Sequence, residues 1–203
     1  MEKIITIGRS YGSGGRTLGR LLAEKLNIKC YSYELVRLAS EKSGINEALF
    51  GKVDEKVKSR AFFGRTEHIY TGELLPPSSD KYVSDDNLFN IQAQVIRELA
   101  DEGPCIIVGR CADFVLKDRP DVVRLFFYAP REDCIARVRY QNGGSDREIV
   151  QKIERIDKYR SEYYRYHTGR DWKDITNYDY CLNTGSLDYD TLVNAVEALI
   201  NIK

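Results

Sequence analysis

The sequence predicts an α/β domain: a five-stranded parallel sheet with helices on both faces. Three observations predict it. Short apolar runs alternate along the 203 residues with longer stretches of helical periodicity, the order that folds into strand–helix–strand units. Several runs are apolar at consecutive positions, as strands covered on both faces are. Each run is followed by a polar or glycine-bearing fragment, and open parallel sheets collect ligands at the carboxyl ends of their strands.

The elements follow in order. "KIITIG" (3–8) is β-rich, ends at a glycine and reads as the first strand. "RTLGRLLAEKL" (16–26) has apolar residues at 18, 21, 22 and 26, the spacing of an amphipathic helix. "CYSY" (30–33) is a second short strand and "ELVRLASEKS" (34–43) a helix. The stretch 44–84 is the least legible; a helix near 46–60 is expected, then an irregular segment with "FFGR" and "LLPPSSDKY". Ser84 or Asp85 can cap a long helix with apolar residues at 88, 91, 95, 96 and 99, and Gly103 ends it. "CIIVG" (105–109) and "VVRLFFYA" (122–129) are buried parallel strands, the second feeding the helix "REDCIARVRYQ" after Pro130. Residues 142–174, charged and tyrosine-rich, read as a helical excursion over the surface. "NYDYCLNT" (177–184) is the last strand and "SLDYDTLVNAVEALI" (186–200) the last helix.

Composition narrows the function classes. A length of 203 residues suits one domain, and 42% hydrophobic with 31% charged residues is globular. Lys+Arg and Asp+Glu both number 31. No bulk field therefore draws a nucleic acid polymer or an anionic membrane, and an anion site must be built locally. Cys30, Cys105, Cys111, Cys134 and Cys181 form no CxxC pair, which reads as reduced thiols rather than disulfides or a zinc site. With no apolar leader and no run of ~20 apolar residues, a cytoplasmic location is expected.

"GRSYGSGGRT" (8–17), between a strand and a helix, carries the sharpest chemical signal. A phosphate loop reads GxxxxGK[ST] in that context. The frame here is Ser10-Tyr11-Gly12-Ser13-Gly14-Gly15-Arg16-Thr17: spacing and final hydroxyl are kept, while the first glycine and the lysine are not. Gly12, Gly14 and Gly15 permit backbone that turns successive N–H groups toward an anion at a helix N-terminus. Thr17 would offer a hydroxyl to magnesium. Arg16 brings a permanent charge and a planar fork able to bridge two phosphate oxygens.

Together with that loop, "FNIQAQVIRELADEGPCIIVGRCADFVL", "FFYAPREDCIARV" and "IDKYRSEYYRYHTGRDWKDITNYDYCLNTGSL" resemble the cytidylate kinase-like family of P-loop proteins across nearly the whole chain. The resemblance implies a P-loop NTPase fold of the nucleoside monophosphate kinase type: a single domain (1–203) with an acceptor-binding insertion (44–84) and a helical lid (142–174). It implies ATP and Mg2+ as cofactors, a small nucleotide as acceptor, and phosphoryl transfer to a CMP- or dCMP-like monophosphate. Gly12, Ser13, Gly14, Gly15, Arg16 and Thr17 then match the ATP phosphate loop. Gly109-Arg110 matches a "GR" pair whose arginine meets the acceptor, and Arg137 sits where relatives set a guanidinium against adenine. Arg147, Arg155, Asp157 and Arg160 fall in the lid-like stretch. Two positions depart: Ser32 and Cys111 stand where relatives carry aspartate, with Asp113 two residues later.

Transfer between two nucleotides needs alignment, charge neutralisation and exclusion of water. Arginines must therefore converge from several elements, and Arg16, Arg110, Arg155 and Arg160 are the catalytic candidates. Other readings stay open. Arg155 and Arg160 also suit helical ion pairs with Glu154, Asp157 and Glu162. Asp113 suits magnesium, with Thr17, or the cap of a short helix. The tyrosines and Trp172 suit packing as well as base stacking. Gln92 and Arg97 face either an acceptor pocket or the helix surface. His68 and His167 have no partner at metal-ligand spacing.

Overall fold

Five strands, β1 (Ile4–Arg9), β2 (Lys29–Tyr31), β3 (Cys105–Val108), β4 (Val122–Tyr128) and β5 (Tyr180–Asn183), pair in parallel in the order β2-β3-β1-β4-β5. The computed structural model describes residues 3–50, 69–185 and 187–202. β1 is central, pairing Ile5 with Ile106 on one side and Val123 on the other. The helices are α1 (Gly15–Leu26), α2 (Glu34–Ser43), α3 (Asp85–Glu102), α4 (Ala112–Val115), α5 (Arg131–Asn142), α6 (Asp146–Thr168) and α7 (Tyr189–Ile202), with a 3-10 turn at Ile175–Asn177.

The alternation of side chains along each strand divides the core in two. Ile5, Ile7, Ile106, Val108, Leu125 and Phe127 pack with Leu18 and Leu22 of α1 and with α7. Ile4, Ile107, Val122 and Phe126 face the other way, onto α2, α3, α4 and the end of α6. Burying each such side chain is worth about 1.5–3 kcal/mol, so helices must cover both faces. α5 and α6 share a third, small cluster of Cys134, Val138, Ile149 and Ile153.

The caps are local. Ser84 accepts the Asn87 N–H at the start of α3, and Ser145 with Glu148 forms a capping box on α6. Two strands are shorter than the sequence suggests. β2 stops at Tyr31, because the Ser32 N–H donates to the Glu34 carboxylate in a turn. Residues 177–179 join the 3-10 turn and its exit rather than β5. Of the helix expected near 46–60, helical backbone spans 47–50; the remainder and "FFGR" lie outside the described residues. "LLPPSSDKY" is irregular, as expected. No helix among the described residues is long and apolar enough to cross a membrane.

The topology sets the site. β1 and β3 are neighbours, yet β1 feeds α1 on one face and β3 feeds α4 on the other. The crevice at their carboxyl ends is where such sheets take ligands.

Candidate active site

β1 ends at Arg9, and the chain turns through Ser10–Gly14 into α1. The Ser10 N–H donates to the Phe127 carbonyl at 3.0 Å, which anchors the turn to β4. The Ser10 carbonyl accepts the Ser13 hydroxyl at 2.9 Å. Gly12 and Gly14 have φ of 83° and 80°, the left-handed region. A Cβ at Gly12 would lie 2.9 Å from Cys134 Cβ, and one at Gly14 2.7 Å from the Tyr189 hydroxyl.

The loop turns its carbonyls inward. Ser13 C=O accepts the Thr184 hydroxyl at 2.6 Å and an Arg137 N–H at 3.2 Å. Arg137 also donates to Gly12 C=O at 3.5 Å and to both the hydroxyl and carbonyl of Thr184. Because the peptide unit is planar and trans, an inward Ser13 carbonyl sets the Gly14 N–H outward. The next three amides, Gly15, Arg16 and Thr17, open α1 and have no carbonyl one turn back. Leu18 N–H is the first to find one, Gly14 C=O at 3.0 Å, and no side chain among the described residues caps the helix. Four consecutive donors at the positive end of a helix form an anion nest.

Beside the loop lies a cavity of about 700 Å³ at the carboxyl ends of β1, β2 and β3, which Tyr11 and Arg16 of the loop reach. Arg9, Arg16, Arg110 and Arg160 line it, as does Asp113. Arg16 lies over the Tyr33 ring, 4.1 Å from its centre, a cation–π contact that holds the exposed side chain toward β2.

Arg110 leaves β3 in a turn where Gly109, Arg110 and Cys111 all have positive φ, 81°, 58° and 54°. Non-glycine residues there cost on the order of 1–3 kcal/mol each, and such strain clusters at functional sites. The turn is held by Gly109 N–H to Ile7 C=O at 2.9 Å and Ala112 N–H to Gly109 C=O at 3.1 Å. It aims Arg110 at Gln92, whose carbonyl oxygen accepts at 3.0 Å; Gln92 is buried and tied back to Leu88 C=O. Gln92 thus orients an arginine rather than facing the helix surface.

Asp113 is buried and accepts the Tyr164 hydroxyl at 2.6 Å. Burial pushes its carboxyl up, and the Tyr164 bond offsets part of that. The cap position of α4 belongs to Cys111, so the capping reading of Asp113 is corrected: it sits inside the first turn with its carboxylate in the core. From α6, Asp157 accepts the Tyr11 N–H at 2.7 Å, and Arg160 donates to the Arg9 carbonyl at 3.1 Å. Burial raises Asp157 as well, against the lowering effect of the Tyr11 amide and Arg160. Arg147 and Arg155 are exposed on α6 and line no part of this cavity.

The arrangement therefore brings Arg16, Arg110, Arg160 and the loop together, ties Arg137 to the loop's back, and leaves Arg155 outside. Trp172, Tyr163 and Tyr164 are core members that also line the cavity. Arg9 and Tyr164 are site residues that the sequence reading did not single out; for Arg9 the available signal was its place at the carboxyl end of the first strand. Among the described residues no group of three or more His, Cys, Asp or Glu could hold a metal. Magnesium is commonly held by one or two protein groups plus substrate phosphates, and the Thr17 hydroxyl at the nest fits that donor set.

The pattern of the cytidylate kinase-like family matches residues 4–186. A cytidylate kinase of Methanopyrus kandleri is 27% identical, over 98% of this chain and 93% of its own. One from Methanocaldococcus jannaschii is 25% identical, over 98% and 97%. Among solved structures, an uncharacterized protein from Eubacterium ventriosum superposes with a TM-score of 0.72 at 25% identity, covering 100% of both chains. Shikimate kinase from Bacteroides thetaiotaomicron, at 16% identity and a TM-score of 0.58 over 99% of both chains, shares the P-loop kinase fold.

Proposed function

The chain belongs to the cytidylate kinase-like family, and on that premise we propose that it transfers the γ-phosphoryl group of ATP to a nucleoside monophosphate, a cytidine monophosphate first among them. In the reaction an acceptor phosphate oxygen forms a bond to the γ-phosphorus. The bond from that phosphorus to the β,γ-bridging oxygen breaks, and ADP leaves with the electron pair.

The observation that carries the reading is the nest: the outward amides Gly14 to Thr17 open the helix whose Arg16 lines a cavity together with Arg9, Arg110 and Arg160. The nest and Arg16 grip the triphosphate. Arg110 and Arg160 approach from β3 and α6, so that charge developing on the transferred group meets donors from several directions. The N-terminal half of α6 acts as the lid that excludes water. Thr17, with the substrate phosphates, would hold magnesium, which would supply charge neutralisation there. The acceptor is a small nucleotide rather than a nucleic acid polymer, and the cytoplasm, with its nucleotide pool and reduced thiols, is the compartment we assign.

A coupled ADP-release assay across nucleoside monophosphates tests this. Turnover with CMP or dCMP is expected; no turnover with any monophosphate overturns it. Ser32 and Cys111, in place of the expected aspartates, favour one second reading: a P-loop kinase for another small phosphorylated or hydroxylated metabolite. The same assay with an acceptor panel separates the two, while binding of ATP with no transfer to any acceptor would leave a nucleotide-binding protein.

A further inference from the structure

Arg9 has an unusual path. Its stem passes so close to the loop that a Cβ at Gly15 would lie 2.7 Å from Arg9 Cβ and 3.2 Å from Cγ. Its head then crosses to the neighbouring strand, where a Cβ at Gly109 would lie 2.0 Å from Nη1 and 2.9 Å from Cζ. One side chain thus passes closely over two glycines on different elements, and at Gly109 it is the positive φ, which lets the β3 exit bend beneath it, that favours glycine. The guanidinium ends over Gly109, one strand away from the nest, in a cavity that Arg110 also lines. Arg160 fixes the Arg9 backbone from above through its carbonyl.

Among the described residues, four arginines line the cavity with the carboxyls Glu47 and Asp113, and Asp113 accepts from Tyr164; such a lining suits an anion. The amides and Arg16 serve one polyanion at α1. A planar fork one strand away, in the cavity that Arg110 also lines, is placed for a second, separate anion, and two guanidinium groups match the oxygens of a phosphomonoester.

We propose that Arg9 is a substrate-contacting residue of the acceptor site: with Arg110 it binds the acceptor's phosphate and makes that phosphate a condition of binding. The inference rests on the kinase reading above and assigns its acceptor selectivity to a residue placed before the glycine loop. A lysine at this position keeps charge but loses the fork, so Arg9→Lys should lie between wild type and Arg9→Met.

The test compares CMP with cytidine, and ATP as control, by calorimetry on wild type, Arg9→Lys and Arg9→Met, with thermal melts to check folding. Wild type should prefer CMP over cytidine, and Arg9→Met should shrink that preference by at least about tenfold. Cytidine and ATP affinities should stay within about twofold of wild type. In turnover, the CMP KM should rise and the ATP KM hold. Equal losses for CMP and cytidine, an unchanged CMP preference, or a loss confined to ATP would each overturn the inference. A wild type that binds ATP but no monophosphate overturns both this and the acceptor reading, and the wild-type arm alone reveals it.

Discussion

The two walls of the candidate site, the loop and the cavity beside it, are built differently. The loop wall, Gly12 to Thr17, is contiguous in sequence; the Gly12 and Ser13 carbonyls are taken up behind by Arg137 and Thr184, which leaves the amides from Gly14 onward facing the other way. The cavity wall is assembled from distant residues: Arg9 from β1, Arg110 and Asp113 after β3 and Tyr164 from α6, with Gln92 of α3 holding Arg110. On the proposed function, backbone would do the binding on the first wall and side chains held by other side chains on the second. The first wall should therefore tolerate few changes of backbone and give all-or-none effects, while the second should give graded, acceptor-specific ones.

The largest expected effect is on the moving charge between the walls. Arg16→Met should lower kcat by roughly 10³-fold or more, the scale of a lost transition-state arginine, with the melting temperature unchanged. A drop below tenfold would assign phosphate neutralisation to the amides alone. Next comes the loop backbone. Gly12→Ala adds a Cβ 2.9 Å from Cys134 at a φ of 83°, and should cost about 1–3 kcal/mol in denaturant unfolding together with most ATP affinity. Equal ATP binding would show that the loop can re-form around the strain.

On the far wall the effects are smaller. Tyr164→Phe removes the donor to buried Asp113 and should cost about 1–3 kcal/mol, raising the CMP KM while leaving the ATP KM. The pH sign follows from Asp113's raised pKa. The folded protein favours the neutral carboxyl, so this stabilisation is full below the ordinary value of 3.8 and is lost as pH rises through the higher folded value. Asp113→Asn should flatten that decline in melting temperature; a steeper decline would mean the ionised form is the stabilising one. Smallest of all, Arg155→Ala should change activity and stability by no more than about 0.5 kcal/mol, against a large loss for Arg160→Met. A large Arg155 effect would mean that α6 rotates to bring its exposed face into the site.

The same contrast explains what was legible. The loop, its helix, the sheet order of elements and Arg110 at a strand end are local patterns, and they appear where the sequence put them. The Asp157 bond to the Tyr11 amide spans 146 positions and the Tyr164 bond to Asp113 spans 51; no periodicity encodes such pairs. Arg137 illustrates the middle case. Its element and neighbourhood were readable, but its donors go to loop carbonyls of Gly12, Ser13 and Thr184, a brace that depends on β5 reaching the same point. Ser32 and Cys111 were visible departures whose meaning depends on side chains from other elements.

The outward amides are tested most directly by amide NMR of 15N-labelled protein titrated with magnesium-ATP. The account predicts large, saturable shifts at Gly14, Gly15, Arg16 and Thr17, with smaller ones at Gly109 and Arg110 until CMP is added. Nest amides that stay unmoved at millimolar ATP, while the protein remains folded, would contradict it.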